Sequence, residues 1–223
     1  MSSLPTKLAL FDCDGTLVDS QANICVAMEE VFGNAGLALP PRDAIRRSIG
    51  LSLVEVVRTL LPDADDAQHR VLAEAYKAAF FRLRRSGAMA NEPLFEGMIQ
   101  VLDSLAEAGW VLGVATGKSD RGLAHILAHH GIADRFVTLQ TADRHPSKPH
   151  PSMIETAIAE AGASAATTVM IGDTSYDMLM ARAAGTRALG VAWGYHAADE
   201  LAAAGAHAVA ETVAALPAHM ESI

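Results

Sequence analysis

Leu8-Ala9-Leu10-Phe11-Asp12-Cys13-Asp14-Gly15-Thr16-Leu17 decides how this chain of 223 residues reads. Leu8 to Phe11 is a short apolar run, the pattern of a parallel strand buried on both faces. Asp12 and Asp14 follow where that strand stops, and Gly15 then allows a sharp turn. In open α/β sheets, ligands bind beyond the carboxyl ends of the strands. Paired aspartates have no packing use at the tip of a buried strand. Like charges that close destabilise each other unless a cation or a proton intervenes. A bound divalent metal resolves this, and one carboxylate remains free for chemistry. An isolated Asp-x-Asp also serves as a turn or helix cap. A calcium loop is excluded by spacing: Gly15 arrives two residues early, and Asn23 stands where the twelfth-position glutamate belongs.

Downstream of this stretch the pattern is helical for about seventy residues. Asp19 to Phe32 carries Ile24, Met28, Val31 and Phe32 on one stripe, with Asp19 or Ser20 as its cap. Arg42 to Ser48 and Leu53 to Leu61 follow. Ala67 to Arg85 reads as a long helix with Val71, Leu72, Ala75, Ala79 and Leu83 inward. This is too long for a strand-to-strand crossover and predicts an inserted helical unit. Alternation then resumes. Strands are expected at Trp110 to Ala115, Phe136 to Gln140, Thr168 to Ile171, Ala188 to Val191 and, briefly, His207 to Val209, with helices between them. That order predicts an α/β fold with a doubly wound, Rossmann-like parallel sheet. Residues 1–16 and 93–223 would form the core, and 17–92 the inserted helical unit.

Each strand end delivers polar groups. The strand at 110–115 leads into Thr116-Gly117-Lys118-Ser119, and the strand at 168–171 into Gly172-Asp173-Thr174-Ser175-Tyr176-Asp177. Ser147-Lys148-Pro149 precedes the helix that starts near Pro151. Parallel topology brings these ends to one edge of the sheet. A phosphate-binding P-loop at Gly113 to Ser119 is excluded, because three residues separate its glycines where four are needed.

These four pieces, in this order, resemble the four motifs of the haloacid dehalogenase superfamily, and they cover most of the chain. Asp-x-Asp-Gly-Thr-Leu resembles the first motif, Thr116 the second and Lys148 the third. Gly-Asp-Thr with Asp177 resembles the fourth. The helical insert resembles that family's small cap, and the whole is most similar to phosphoglycolate phosphatases. The resemblance implies a phosphatase in which Asp12 is the nucleophile and Asp14 the general acid and base. It implies Mg²⁺ as cofactor, held by Asp12, the backbone carbonyl of Asp14, and Asp173. Asp177 and Thr16 would support that cluster. Thr116, the Gly117 N–H and Lys148 would hold the phosphoryl oxygens, with Lys118 either reaching substrate or solvated. The substrate would be a small phosphorylated metabolite, 2-phosphoglycolate first, with a phosphosugar or pyrophosphate as alternatives. An acid at Asp14 favours phosphate transfer over dehalogenation. Thr16, where β-phosphoglucomutases carry Val, favours hydrolysis.

Cap residues Arg46, Arg47 and the Gly50-Leu51-Ser52 turn are expected to face the site on closure, with Arg47 as a substrate ligand. His150, more than His145, is expected to orient the Lys148 loop. Cys13 reads as a small buried apolar side chain. A net charge of −9 argues against a nucleic-acid surface. Two cysteines are too few for a disulfide framework. No apolar run reaches the roughly 18 residues that span a bilayer, and no signal peptide is legible. The expectation is a cytoplasmic protein with no membrane or nucleic-acid partner.

Overall fold

The computed structural model describes residues 5–223. Strand β1 (Thr6–Phe11) lies at the centre of a six-stranded parallel sheet with β2 (Trp110–Thr116), β3 (Phe136–Thr141), β4 (Ala163–Gly172), β5 (Arg187–Val191) and β6 (Ala208–Ala210). The strand order is β3-β2-β1-β4-β5-β6. The chain therefore reverses its direction of winding between β1 and β4, the place where such sheets open a crevice for ligands. The sheet matches the expected doubly wound architecture. Strand β4 starts five residues before the predicted strand, at Ala163.

Side-chain alternation along β1 serves both faces of the sheet. Leu8 and Leu10 pack with Met153, Ile154 and Ala157 of α7 (Ser152–Ala161), Met178 of α8 (Ser175–Ala183) and Leu201 of α9 (Ala198–Ala204). Ala9 and Phe11 pack oppositely, against Met98, Leu102 and Leu105 of α5 (Met98–Glu107) and Leu123 and Leu127 of α6 (Asp120–His129). Leu216 and Met220 of α10 (Leu216–Ser222) complete that face. Each large apolar side chain so buried contributes about 1.5–3 kcal/mol.

The insert comprises α1 (Gln21–Asn34), α2 (Arg42–Ser48), α3 (Leu53–Leu60) and α4 (Asp66–Arg85). Ile24, Met28, Val31 and Phe32 of α1 are buried as their spacing predicts. The stripe predicted for α4 is rotated. Val71 is 67% exposed, and the inward residues are His69, Leu72, Ala73 and Ala79. The reason is His69, polar by type yet buried, whose Nε2 meets the Leu61 carbonyl at 2.9 Å and turns that face inward. The insert leaves and re-enters the core through two adjacent segments. Val18 bridges Leu94, the Asp19 N–H donates to the Pro93 carbonyl, and the Asn23 amide exchanges two hydrogen bonds with the Ala90 backbone. Among the described residues, no helix is long and apolar enough to cross a membrane.

Candidate active site

Asp12 is the first residue past β1, and its N–H donates to Ile171 of β4 at 2.9 Å, so it sits at the reversal of strand order. Gly15 turns the loop at φ +84°, and a Cβ there would overlap the Asp173 carboxylate. Only glycine permits both that dihedral and that approach. Thr16 Oγ1 then donates to Asp173 Oδ1 at 2.9 Å, and the Tyr195 N–H donates to Asp173 Oδ2 at 2.9 Å. Asp177 closes a capping box at the start of α8: its Oδ2 accepts from the N–H and hydroxyl of Thr174. Its Oδ1 accepts from Lys148 Nζ at 2.6 Å, and the same ammonium lies 3.0 Å from Asp12 Oδ1. Asp12, Lys148, Asp173 and Asp177 are all fully buried or nearly so.

Asp14 holds a second lysine. Lys118 Nζ stands 2.7 Å from Asp14 Oδ1, and the Ser20 hydroxyl donates to the same oxygen. Ser20 therefore spends its side chain on Asp14 and makes no capping bond to α1. Lys118 is nearly buried, so it is not the solvated lysine of the second expectation. Burial works against its charge, yet Asp14 raises its pKa above the usual lysine range.

Four buried carboxylates face two ammonium groups, so acids outnumber bases at the cluster. Burial pushes the Asp12 carboxyl up to about 7; Lys148 opposes this, while Asp177 and Asp14 add to it. Asp173 is also driven well up, by burial and then by Asp12 and Asp177, against the Tyr195 N–H and the Thr16 hydroxyl. Oxygens of Asp12, Asp173 and Asp177 lie within 4.8 Å of one another. Both Asp177 oxygens already accept hydrogen bonds, whereas Asp12 Oδ2 is buried with no partner among the described residues. A divalent cation would offset the excess of acids and complete that oxygen. An all-oxygen donor set suits Mg²⁺. Cys13 is fully buried and its thiol is pushed well up by burial and then by Asp14, so it packs as an apolar side chain.

Thr116 is buried at the tip of β2, and its Oγ1 accepts from the Lys118 N–H at 3.2 Å. Gly117 lies against the helical insert: a Cβ there would overlap the carbonyl oxygens of Leu51 and Gly50. The Ser52 N–H donates to Ser147 Oγ at 2.8 Å, beside Lys148. The Gly50-Leu51-Ser52 turn thus rests on the strand-end loops. An open cavity of about 630 Å³ beside this contact is lined by Leu51, Glu55, Ser147, Lys148, His150 and Tyr176 among others.

Arg47 is not brought to the cluster. Its guanidinium pairs with Glu200 of α9 at 2.6 Å, and its carbonyl accepts from the Tyr176 hydroxyl and His196 Nε2. Arg46 pairs with Asp43. His145 sits between Ser152 Oγ and Gln140 Oε1, and His150, though exposed, accepts from the Ser152 N–H at 3.2 Å, so both histidines tie into the start of α7. Ser20, which the sequence reading offered only as a helix cap, and Tyr195 and His196, which it did not name, are the site residues it missed. The last two follow β5. The strand-end argument applied to β5 as well as to β1, β2 and β4 leads directly to them.

The sequence profile of the haloacid dehalogenase-like hydrolases matches residues 9–191. A Dickeya dadantii protein named "Probable phosphatase IndB" is 36% identical over 92% of this chain and 89% of its own length. A phosphoglycolate phosphatase from Agrobacterium fabrum is 30% identical over 87% of this chain and 84% of its own. The crystal structure of a hydrolase from Pseudomonas syringae superposes with a TM-score of 0.84 at 27% identity, covering 98% of this chain and 99% of that one. With a profile spanning most of the sheet and phosphatases among its relatives, the chain belongs to the haloacid dehalogenase-like hydrolases and is a phosphatase of that family.

Proposed function

We propose that this phosphatase is Mg²⁺-dependent and hydrolyses a small phosphomonoester through an aspartyl-phosphate at Asp12. The observation that carries the reading is Asp12 Oδ2, a buried carboxylate oxygen without a partner, on a residue whose other oxygen is held by Lys148. An Asp12 oxygen forms the bond to phosphorus as the ester P–O bond breaks, splitting one hard displacement into two easier ones. Asp14 gives its proton to the departing alkoxide. It then takes a proton from the water that attacks phosphorus, releasing phosphate and restoring the Asp12 carboxylate. Lys118 and Ser20 hold one oxygen of Asp14, which leaves the other for the proton. Lys148, Thr116 and the Gly117 N–H hold the phosphoryl oxygens as charge shifts onto them. Asp12, Asp173 and the Asp14 carbonyl would hold Mg²⁺, which would supply charge neutralisation at the phosphoryl group. Thr16 and Asp177 keep Asp173 and Lys148 in place. Residues 17–92 act as the cap that excludes water, over a core of 1–16 and 93–223.

The sequence resemblance puts 2-phosphoglycolate first among the substrates, with hydroxyl-bearing phosphosugars beside it. Phosphate release from a panel of these esters and pyrophosphate, with Mg²⁺ and with EDTA, tests the reading. Release is expected with Mg²⁺ alone, and Asp12→Asn is expected to lower it roughly 10⁴-fold or more, as loss of a nucleophile does. Equal, slow release by wild type and Asp12→Asn would refute it.

A further inference from the structure

The last carbonyls of a helix have no partner inside it. Helix α2 ends at Ser48, and most of its final carbonyls are met close by. The Ser48 hydroxyl donates to the Ile45 carbonyl, the Ile49 N–H to that of Arg46, and the Leu51 N–H to that of Ser48. The Arg47 carbonyl instead takes two donors from the core. These are the Tyr176 hydroxyl at 3.3 Å and His196 Nε2 at 3.0 Å.

His196 is only 5% exposed, and its Nδ1 accepts from the Ser175 N–H at 3.1 Å. A backbone N–H can only donate and a carbonyl can only accept, so the ring carries its proton on Nε2. One imidazole thus joins the head of α8, beside Asp173 and Asp177, to the helical insert. The seam around it is loosely filled. Two cavities, of about 620 and 630 Å³, are each lined by residues of both the insert and the core, and Tyr176 borders both. The anchored carbonyl lies just before the Gly50-Leu51-Ser52 turn. Gly50 rests on Thr174, where an added Cβ would meet Oγ1 at 3.3 Å, and the Gly50 and Leu51 carbonyls lie against Gly117. Fixing Arg47 therefore fixes that turn over the strand-end loops.

We infer that His196, with Tyr176 beside it, is a positioning residue of the reaction: through the Arg47 carbonyl it seats the Gly50-Leu51-Ser52 turn on the Gly117 and Ser147 loops. This rests on the phosphatase reading and adds to it a residue that acts through the insert and not on the substrate. A turn that lifts admits water to the Gly117 N–H, which then holds the phosphoryl oxygens less well.

The test separates the two ring nitrogens. In His196→Asn the amide oxygen can stand in for Nδ1 and keep the Ser175 bond, but the side chain is too short to reach the Arg47 carbonyl. In His196→Gln the amide nitrogen can stand in for Nε2 and keep the Arg47 bond. One readout is hydrogen exchange at the Ser52 amide, which donates to Ser147 Oγ. The other is kcat/KM with the ester of the panel that wild type hydrolyses best. His196→Asn is expected to exchange Ser52 about fivefold faster and to lower kcat/KM about fivefold, the worth of one hydrogen bond. His196→Gln is expected to stay within about twofold of wild type in both. The opposite order overturns the inference, because it assigns the imidazole to Ser175 and the core. So do two variants that behave alike, whether both match wild type or both are impaired, because neither nitrogen then matters by itself. Faster exchange with unchanged kcat/KM overturns the link to the reaction. If His196→Asn does not fold, Tyr176→Phe removes the other donor on the same carbonyl and is expected to speed Ser52 exchange about threefold. Unchanged exchange there overturns the inference as well. No turnover by wild type with any ester removes the phosphatase reading and the role in the reaction with it, while the exchange order shows separately whether His196 seats the turn.

Discussion

The Lys148 cluster and the seam that holds the cap to the core both join acids to bases, in opposite surroundings. Lys148 is completely buried between Asp12 and Asp177, whereas the Arg47 side chain is 49% exposed where it meets Glu200. In the cluster, water cannot replace a missing partner. At the seam it can. Ion pairs exposed to water contribute little, while removing one partner of a buried pair leaves an uncompensated charge. The difference teaches that each partner in the cluster is indispensable to the others, and that the seam only adjusts how firmly the helical insert rests on the core.

The largest expected effect follows from Lys148→Met. It leaves Asp12 and Asp177 facing each other without a cation between them. A loss of about 3–5 kcal/mol in urea unfolding is expected, together with loss of turnover. A loss near zero would mean that the two carboxylates share a proton in its place, and the contrast between the two regions would collapse.

Next comes the metal. Any ligand that binds only the folded state stabilises it by mass action. Mg²⁺ at a hundredfold excess over its Kd is expected to add about 2.7 kcal/mol, read as a rise in thermal midpoint. Asp173→Asn is expected to abolish most of that rise. A rise of the same size in Asp173→Asn would place the ion elsewhere.

The two regions also differ in how well they can be read from sequence. The cluster was legible because topology does the geometry: once β1, β2 and β4 are recognised as parallel strands, Asp12, Thr116 and Asp173 must share an edge. Lys148 joins them through the loop after β3. Side-chain partners were less legible. Lys118 could have gone to solvent or to substrate; its ion pair with Asp14 depends on the depth of the loop and on Ser20, which the helix pattern assigns to capping. Arg47 shows the limit most plainly. Its place on α2 was readable, but its partner lies 153 residues along the chain on α9, and no local pattern links the two. The face of α4 was misread because a buried histidine does not register as apolar.

Gly117 probes the seam from the core side. In Gly117→Ala the new methyl would overlap the carbonyl oxygens of Leu51 and Gly50, so the cap turn must lift. Overpacking of this kind costs about 1–3 kcal/mol. Here it is expected to fall on cap closure more than on global stability. The Ser52 amide, which donates to Ser147 Oγ, should exchange its hydrogen about tenfold faster or more, while the urea midpoint of the core moves less. Unchanged exchange at Ser52 would mean that the turn and the strand-end loop yield without opening.

The smallest effect belongs to Arg47 and Glu200, and acid reveals it. Two hydrogen bonds from the Arg47 guanidinium, then one from the Ala197 N–H, hold the Glu200 carboxyl down from 4.5 to about 2. A carboxyl depressed in the folded state contributes stability that is fully present above its unfolded pKa and is lost as pH falls through its folded one. The contribution of Glu200 should therefore be constant above about pH 5 and disappear between about pH 4.5 and pH 2. A Glu200→Gln protein lacks it at every pH. The gap in thermal midpoint between wild type and Glu200→Gln should be small at pH 7 and close over that window, and 1 M salt should narrow it at pH 7, because both side chains are open to solvent. A gap that persists at pH 2, or that ignores salt, would assign the effect to the capping bond from Ala197 and leave the cap held by Tyr176, His196 and Ser147 alone.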